Sequence, residues 1–401
     1  MQVLFGTAAR AVATLTVVAL AAAGIGAALV VAFDDDNGDG RDEDVAATAV
    51  VEVPPATVVD GGPPEEVTPD DPVKGTRSGS PLDDLPEGVT VLTDFGQRPT
   101  WSPDGRTIAF LDGSPLGDVW TVGVESGETR NLTEPFDSRG FSRVYYLQNG
   151  DLLLCGPTSG PEPTTERPEA GRFTGVMSVL EAPFDEPPVP LGVSCWEGMA
   201  ASRSSMRIAW NRSDIDYTDA DLVDRVVNGI TEIWTGEIRD VDGAPALVNP
   251  RLVLDREEFG SLGVFEVQDF RAPADDELIF TVYGYQGGEV FGINLESGEV
   301  RNYSNSTAYE EVEGVDETGD AVFVERDLEY EGIEPGALDI WKLGLEDGRF
   351  ERVTRFNRWA PYYASNPSVS PDGTTLAFQL SIDGETEGQG AGILLSQLDD
   401  G

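Results

Sequence analysis

The chain has 401 residues, with 73 acidic side chains against 26 basic ones, no histidine, and a formal charge of −47. So negative a protein repels phosphate backbones, which argues against nucleic acid as a partner and suits either solubility in a salty medium or attraction of cations and basic partners. Without histidine, Ser-His-Asp catalysis, imidazole bases and His-ligated zinc are excluded in one step.

Residues 1–10 are a short tail, and Ala11 to Phe33 then runs without a charge, between Arg10 and Asp34-Asp35-Asp36. About 20 apolar residues cross a bilayer, whereas a signal-peptide core needs only about 7–15. The stretch is predicted to be a transmembrane signal anchor; the alternative is a signal peptide cleaved near Val30-Val31-Ala32. The cation before it and the acids after it put the N-terminus inside the cell and the rest outside. From Asp34 to Gly88 the chain is acidic, Pro-rich and nearly free of aromatics. Such a segment cannot bury enough surface to offset its ordering entropy, so a disordered stalk is expected. Asp35 to Gly40 matches half of an EF-hand loop, but the twelfth position is Ala46, and a solvated charge run is expected instead of a metal site.

From Val89 the pattern changes. WSPDGRTIAF at Trp101–Phe110 and VSPDGTTLAF at Val369–Phe378 each read as strand, turn and strand. Proline presets φ in the turn, glycine takes the left-handed position, and Ile108 and Phe110 alternate with Thr107 and Ala109 at the period of a two-faced sheet. Two copies so far apart point to a repeat array. With the strands of each unit labelled a to d, unit one has a ending at Trp101, b at Thr107–Leu111, c at Asp118–Val124 and d at Glu128–Thr133. Unit two has Val144–Leu147, Asp151–Cys155 and a strand near Thr174–Leu180. Unit three has Met206–Trp210, Thr231–Arg239 and Arg251–Leu254. Units four and five repeat the pattern from Glu277 to Tyr303 and from Ala321 to Thr354, and unit six has Thr374–Leu380 and Gly392–Leu398. The last d strand is missing at the end, while Val89–Thr93, VTVLT, resembles the d endings NLT and RVT. The expected fold is all-β, a six-bladed β-propeller over 89–401 with four strands per blade. Val89–Thr93 closes it by pairing with the last blade, so that no long edge is left bare.

WSPDGRTIAF…DVWTVGVESGETRNLT and DIWKLGLEDGRFERVT…PSVSPDGTTLAF resemble the WD40-like propeller repeat of TolB-type exported proteins. The resemblance covers about Val89 to Gly401 and is sharpest in units one, five and six. It implies a propeller and export, and no particular activity, since many activities sit on this fold.

Strand direction alternates within a unit, so the a–b and c–d turns share one face and the b–c and d–a connections share the other. The second set carries the long insertions, at about Gly156–Arg172, Asn211–Gly229, Arg326–Ala337 and Asp383–Gly390. Binding residues concentrate on loops held by a rigid scaffold. The expected binding face is therefore that of the b–c and d–a loops, with Phe136, Arg139, Trp196, Arg355, Arg358, Trp359, Tyr362 and Tyr363 as candidates beside Phe259 and Tyr309. Asp214, Asp216, Asp219 and Asp221 are expected to be a solvated loop. Cys155 and Cys195, the two cysteines, are expected to form a disulfide between adjacent blades, in a compartment where such bonds persist.

The function these features suggest is a membrane-tethered extracytoplasmic scaffold, monomeric and non-catalytic, without metal or cofactor. Its partner would be a protein, a peptide or a cell-wall glycan. One alternative is a propeller enzyme on envelope polymers. The prolyl-oligopeptidase type needs a hydrolase domain after the propeller, pectate-type lyases use His-bound metal, and the sialidase Asp box has a residue between Asp and Gly that Ser102-Pro103-Asp104-Gly105 lacks. Another alternative is the outer module of a membrane sensor.

Overall fold

The computed structural model describes residues 58–59, 75–157, 175–195, 198–212, 231–255, 264–283, 287–330, 338–383 and 390–398. The expected tail, anchor and half EF-hand loop lie outside the described residues, as does most of the expected stalk. No helix among the described residues is long and apolar enough to cross a membrane.

Strands β1 (Val58–Val59) and β2 (Val89–Val91) precede the repeats, and β3 (Gln97–Trp101), β4 (Thr107–Leu111), β5 (Val119–Gly123) and β6 (Thr129–Asn131) form a four-stranded antiparallel sheet. The same a–b–c–d order recurs in β7 (Arg143–Tyr146), β8 (Leu152–Pro157), β9 (Gly175–Leu180) and β10 (Val189–Cys195). It recurs again in β11 (Met199–Ala201), β12 (Arg207–Arg212), β13 (Glu232–Val241) and β14 (Ala244–Asp255). Two further units, β15 (Val264–Phe270) with β16 (Glu277–Tyr283), β17 (Gly288–Asn294) and β18 (Val300–Asn302), and β19 (Tyr309–Val315) with β20 (Ala321–Asp327), β21 (Asp339–Gly344) and β22 (Phe350–Arg352), share one larger sheet. A single parallel pair, Gly288 with Tyr309, joins them, and β1 pairs in parallel with β18 at its edge.

The last unit has β23 (Tyr362–Val369), β24 (Thr375–Ile382) and β25 (Gly390–Gln397), and its fourth strand is β2, with Val89, Thr90 and Val91 opposite Ser396, Leu395 and Leu394. The first strands touch in the cyclic order β3, β7, β11, β15, β19, β23 and β3 again. Twisted four-stranded units packed face to face around their first strands make a β-propeller. Apolar clusters fill the spaces between units: Ala109, Leu111 and Val119 meet Val144, Leu152 and Leu154, and at the closing seam Trp101, Ile108 and Phe110 meet Ala377, Ile393 and Leu395.

One interaction explains the repeated D-[VI]-W…T pattern. In units one, four, five and six the chain leaves the d strand early, and a c-strand N–H beside that exit lacks a ladder partner. A hydroxyl takes it. Val119 N donates to Thr133 Oγ1 at 3.0 Å, Val290 N to Ser304 Oγ at 2.9 Å and Ile340 N to Thr354 Oγ1 at 2.9 Å. The acid that starts the c strand holds the clasp from the other side: Thr354 Oγ1 donates to Asp339 at 2.8 Å and Ser304 Oγ to Glu289 at 2.7 Å. In the last unit the hydroxyl is Thr93, and Ile393 N donates to it at 3.2 Å across 300 residues of sequence.

Three expectations are corrected. Cys195 ends β10, a d strand that the sequence reading did not locate, so it does not lie in a d–a connection, and both cysteines belong to one unit. Cys155 and Cys195 are bonded, with Cα atoms 5.9 Å apart. In unit three the expected Arg251–Leu254 is only the end of β14, which pairs with β13 from Val241↔Ala244 onward around Asp242-Gly243, both at positive φ. That two-residue Asp-Gly loop is the mirror-image turn matched to strand twist. The end of the expected stalk also packs: Gly75 N donates to Asn357 O at 3.0 Å, Arg77 N to Arg358 O at 2.8 Å, and the Arg77 guanidinium lies 4.6 Å from the centre of the Trp359 ring.

Two outcomes follow from closure and from the disulfide. A chain beginning at Asp94 lacks both β2 and the Thr93 clasp, and should melt about 10 °C below one beginning at Gly79, at roughly 2–4 °C per kcal/mol for a domain of this size; equal melting would oppose closure by β2. A Cβ on Gly175 would stand 2.5 Å from Cys155 Sγ and 3.0 Å from Cys195 Sγ. Gly175→Ala should therefore open the bridge, read as two alkylatable thiols in non-reducing peptide mapping where the natural chain shows none.

Candidate functional site

The expected binding face is only partly described. Trp196, Phe259 and the Asp214–Asp221 patch lie outside the described residues, as does most of the insertions. Phe136 packs against the core between units one and two, and Arg139 is exposed nearby. Trp359 is 6% exposed beneath Arg77, with Arg358 half-buried and Arg355 exposed beside it. Tyr362 and Tyr363 are not loop residues; they open β23, and Tyr362 packs on the core of its unit. Tyr309 likewise opens β19. The structure thus gathers Arg355, Arg358 and Trp359 into one patch and leaves Phe136 and Arg139 in a different connection.

A cavity of about 360 Å³ opens on the other face, among the a–b turns. Its walls are the first strands, with Arg98, Arg143, Tyr145, Gln268, Glu313 and Asn366, and its rim is the turns, with Pro103, Gln148, Arg203, Pro273, Glu317 and Pro371. In four first strands the ladder slips at the residues that line it. Arg98-Pro99 lie between the pairs Gln97↔Leu111 and Thr100↔Ala109, and Asn366-Pro367 between Ser365↔Gln379 and Ser368↔Ala377. Gln268 is extra between Val267↔Phe280 and Asp269↔Ile279, and Glu313 between Val312↔Val324 and Gly314↔Phe323. A β-bulge re-aims a side chain and is common beside active sites.

Arg98 has φ 54° and Asn366 φ 47°, a left-handed conformation that costs a non-glycine residue on the order of 1–3 kcal/mol. The surroundings hold them there: Arg98 N donates to Gln379 Oε1 at 2.8 Å and Asn366 N to Glu325 Oε1 at 2.6 Å. Sequence reasoning missed these residues, although RPTWSPDG and NPSVSPDG carry a signal, an X-Pro pair at the same distance before the repeated turn.

Charge in the channel is uneven. Glu311 and Glu325 stand directly opposite each other on β19 and β20, an arrangement that repels when both are ionised. The Asn366 amide donates to both Glu313 Oε1, at 3.1 Å, and Glu325 Oε1, at 2.9 Å. Burial first, and then the Glu311 charge, pushes Glu325 up to about 8. Burial, followed by Glu311 and Glu325, raises Glu313 well above the usual carboxylate range, with Arg98 opposing. Glu266, from the neighbouring unit, accepts from Arg143 Nη2 at 3.1 Å, Gln268 Nε2 at 3.0 Å and the Tyr283 hydroxyl at 2.7 Å. Burial also lifts Asp269, although Arg203 is 3.2 Å away. A wall carboxyl that keeps its proton toward neutrality both donates and accepts hydrogen bonds. No cluster of three or more His, Cys, Asp or Glu that could hold a metal ion occurs among the described residues.

No family model and no curated protein matches the chain. Among solved structures it is similar to a putative TolB from Agrobacterium tumefaciens, at 12% identity over 76% of this chain and 91% of that one, TM-score 0.48. It is similar to an oligogalacturonate lyase from Vibrio parahaemolyticus, at 10% identity over 78% and 94%, TM-score 0.45. A gluconolactonase from Xanthomonas campestris gives 13% over 84% and 99%, TM-score 0.47. Likenesses this distant bear on neither activity nor ligand, and the fold rests on the strand pairing.

A carboxyl whose pKa is higher folded than unfolded lets the folded state bind more protons, so stability falls as pH rises between the two values. For Glu325 that window runs from the ordinary 4.5 to about 8. Glu325→Gln should therefore gain in melting temperature over the natural chain between pH 5 and pH 8.5. A gap that stays constant across that range would contradict the burial of an ionisable Glu325.

Proposed function

We propose that the chain is an extracytoplasmic six-bladed β-propeller that binds a protein or peptide at the mouth of its central cavity and does not catalyse a reaction. The observation that carries this reading is the level of bulged residues, Arg98, Gln268, Glu313 and Asn366, contributed to one cavity by four first strands. Backbone cost repeated around a single cavity is expected where side chains serve a ligand. The chain belongs to the cell envelope in this reading, tethered by residues 11–33 or released if they are cleaved. The described N-terminal segment reaches the propeller at Asn357 and Arg358, in a d–a connection.

The enzyme alternative draws on Glu313, a carboxyl held above its usual range on the cavity wall. Acid–base work on a glycan needs a second carboxyl across the reacting atoms. Glu325 shares the amide donor of Glu313, and Asp269 of the same cavity is paired with Arg203 at 3.2 Å, which favours binding over catalysis. A photo-crosslinking residue at the exposed a–b position Gln148 should give an adduct with an envelope protein in intact cells, and the same residue at Asp137 on the opposite face should not. Adducts at Asp137 alone would overturn the choice of face.

A further inference from the structure

Resting on that reading, we propose that the cavity seats the positively charged group of its ligand, a primary amine or guanidinium of a peptide, against Glu313. The geometry favours a cation over an anion for three reasons. First, Arg143 of the wall pairs with Glu266 at 3.1 Å and Arg203 of the rim with Asp269 at 3.2 Å. Second, carboxyls are in excess. Glu266, Glu311, Glu313 and Glu325 stand against Arg98 and Arg143, and Glu313 and Glu325 converge on the one Asn366 amide. Third, a protein of charge −47 concentrates cations around itself and sends them toward a concave site.

The charges that face Glu313 are Glu311 on its own strand, Glu325 on β20, Glu266 on β15 and Arg98 on β3. With no ligand the excess is relieved by protons, and Glu313 and Glu325 hold theirs above the usual range. An arriving ammonium takes over that role: the Glu313 carboxyl gives its proton to the buffer and pairs with the ligand as carboxylate. Binding therefore releases a proton wherever the free chain holds Glu313 protonated, and grows tighter as pH rises through that range.

Calorimetry of the full chain with cadaverine in 0.3 M NaCl, repeated in buffers of different ionisation enthalpy, tests this. Glutarate serves as the size-matched anion. Cadaverine should bind with proton release, and Glu313→Gln should weaken it at least tenfold while melting no lower than the natural chain. Glu325→Gln should keep both the affinity and most of the proton release. Glu296→Gln, at an exposed turn, should change neither. Tighter binding of glutarate, or equal affinity for cadaverine in the natural chain and Glu313→Gln, would overturn the assignment. If cadaverine fails while the crosslink at Gln148 persists, the cation assignment falls and the cavity mouth remains the partner site.

Discussion

The fold depends on a hydroxyl that stands in for a missing strand. Where the d strands of units one, four, five and six turn away, the neighbouring c strand would bury an orphaned N–H, and such a group costs about 1–3 kcal/mol. Thr133, Ser304 and Thr354 each answer that need in their own unit. Thr93 answers it for the last unit from the far end of the chain. The same local chemistry that finishes one blade therefore also closes the ring. This is why VTVLT, read as a d strand out of place, could be matched to its unit from sequence alone. Its last residue is the clasp, and a three-residue strand without that clasp would hold the seam less firmly.

What was legible was whatever repeats. The SPDG turns, the acid-aromatic third strands and the hydroxyl endings each meet a backbone demand that recurs in two or more units, so their copies vouch for one another. The first strands were harder to read for a physical reason. A bulge adds a residue and reverses the alternation of faces, and Arg98-Pro99 and Asn366-Pro367 do this midway along strands that would otherwise show period two. β10 and β14 hid differently. Their residues are mostly half-exposed outer positions such as Val189, Leu191 and Val248, which leave little apolar contrast.

The expected binding face rested on loop length, and most of those loops lie outside the described residues. Long insertions mark one face, but the aromatic residues described there serve the architecture: Phe136 fills the gap between units one and two, and Trp359 lies under Arg77. Glu313 of the cavity wall and the carboxyls around it were beyond reach by inspection. Glu266, Glu311, Glu313 and Glu325 are four of 73 acids, and only the ring order of the strands brings β15 and β19 together with β3 and β23.

Their burial is informative because the propeller does not require it. Other first strands line the same axis with less ionisable residues: β11 contributes Met199, Ala200 and Ala201, and β7 carries Tyr145 beside Arg143. Desolvating a carboxyl is expensive, and setting Glu311 against Glu325 across one ladder adds repulsion that a Val or Thr at either position would remove. Packing therefore gives no reason to keep all four. The hydrogen bonds reduce the penalty without cancelling it, since Glu313 and Glu325 still share a single amide and still hold protons above the ordinary range. A cost that stability does not explain, repeated on adjacent strands around a cavity that Glu313 lines, is what a site tuned to an incoming charge requires.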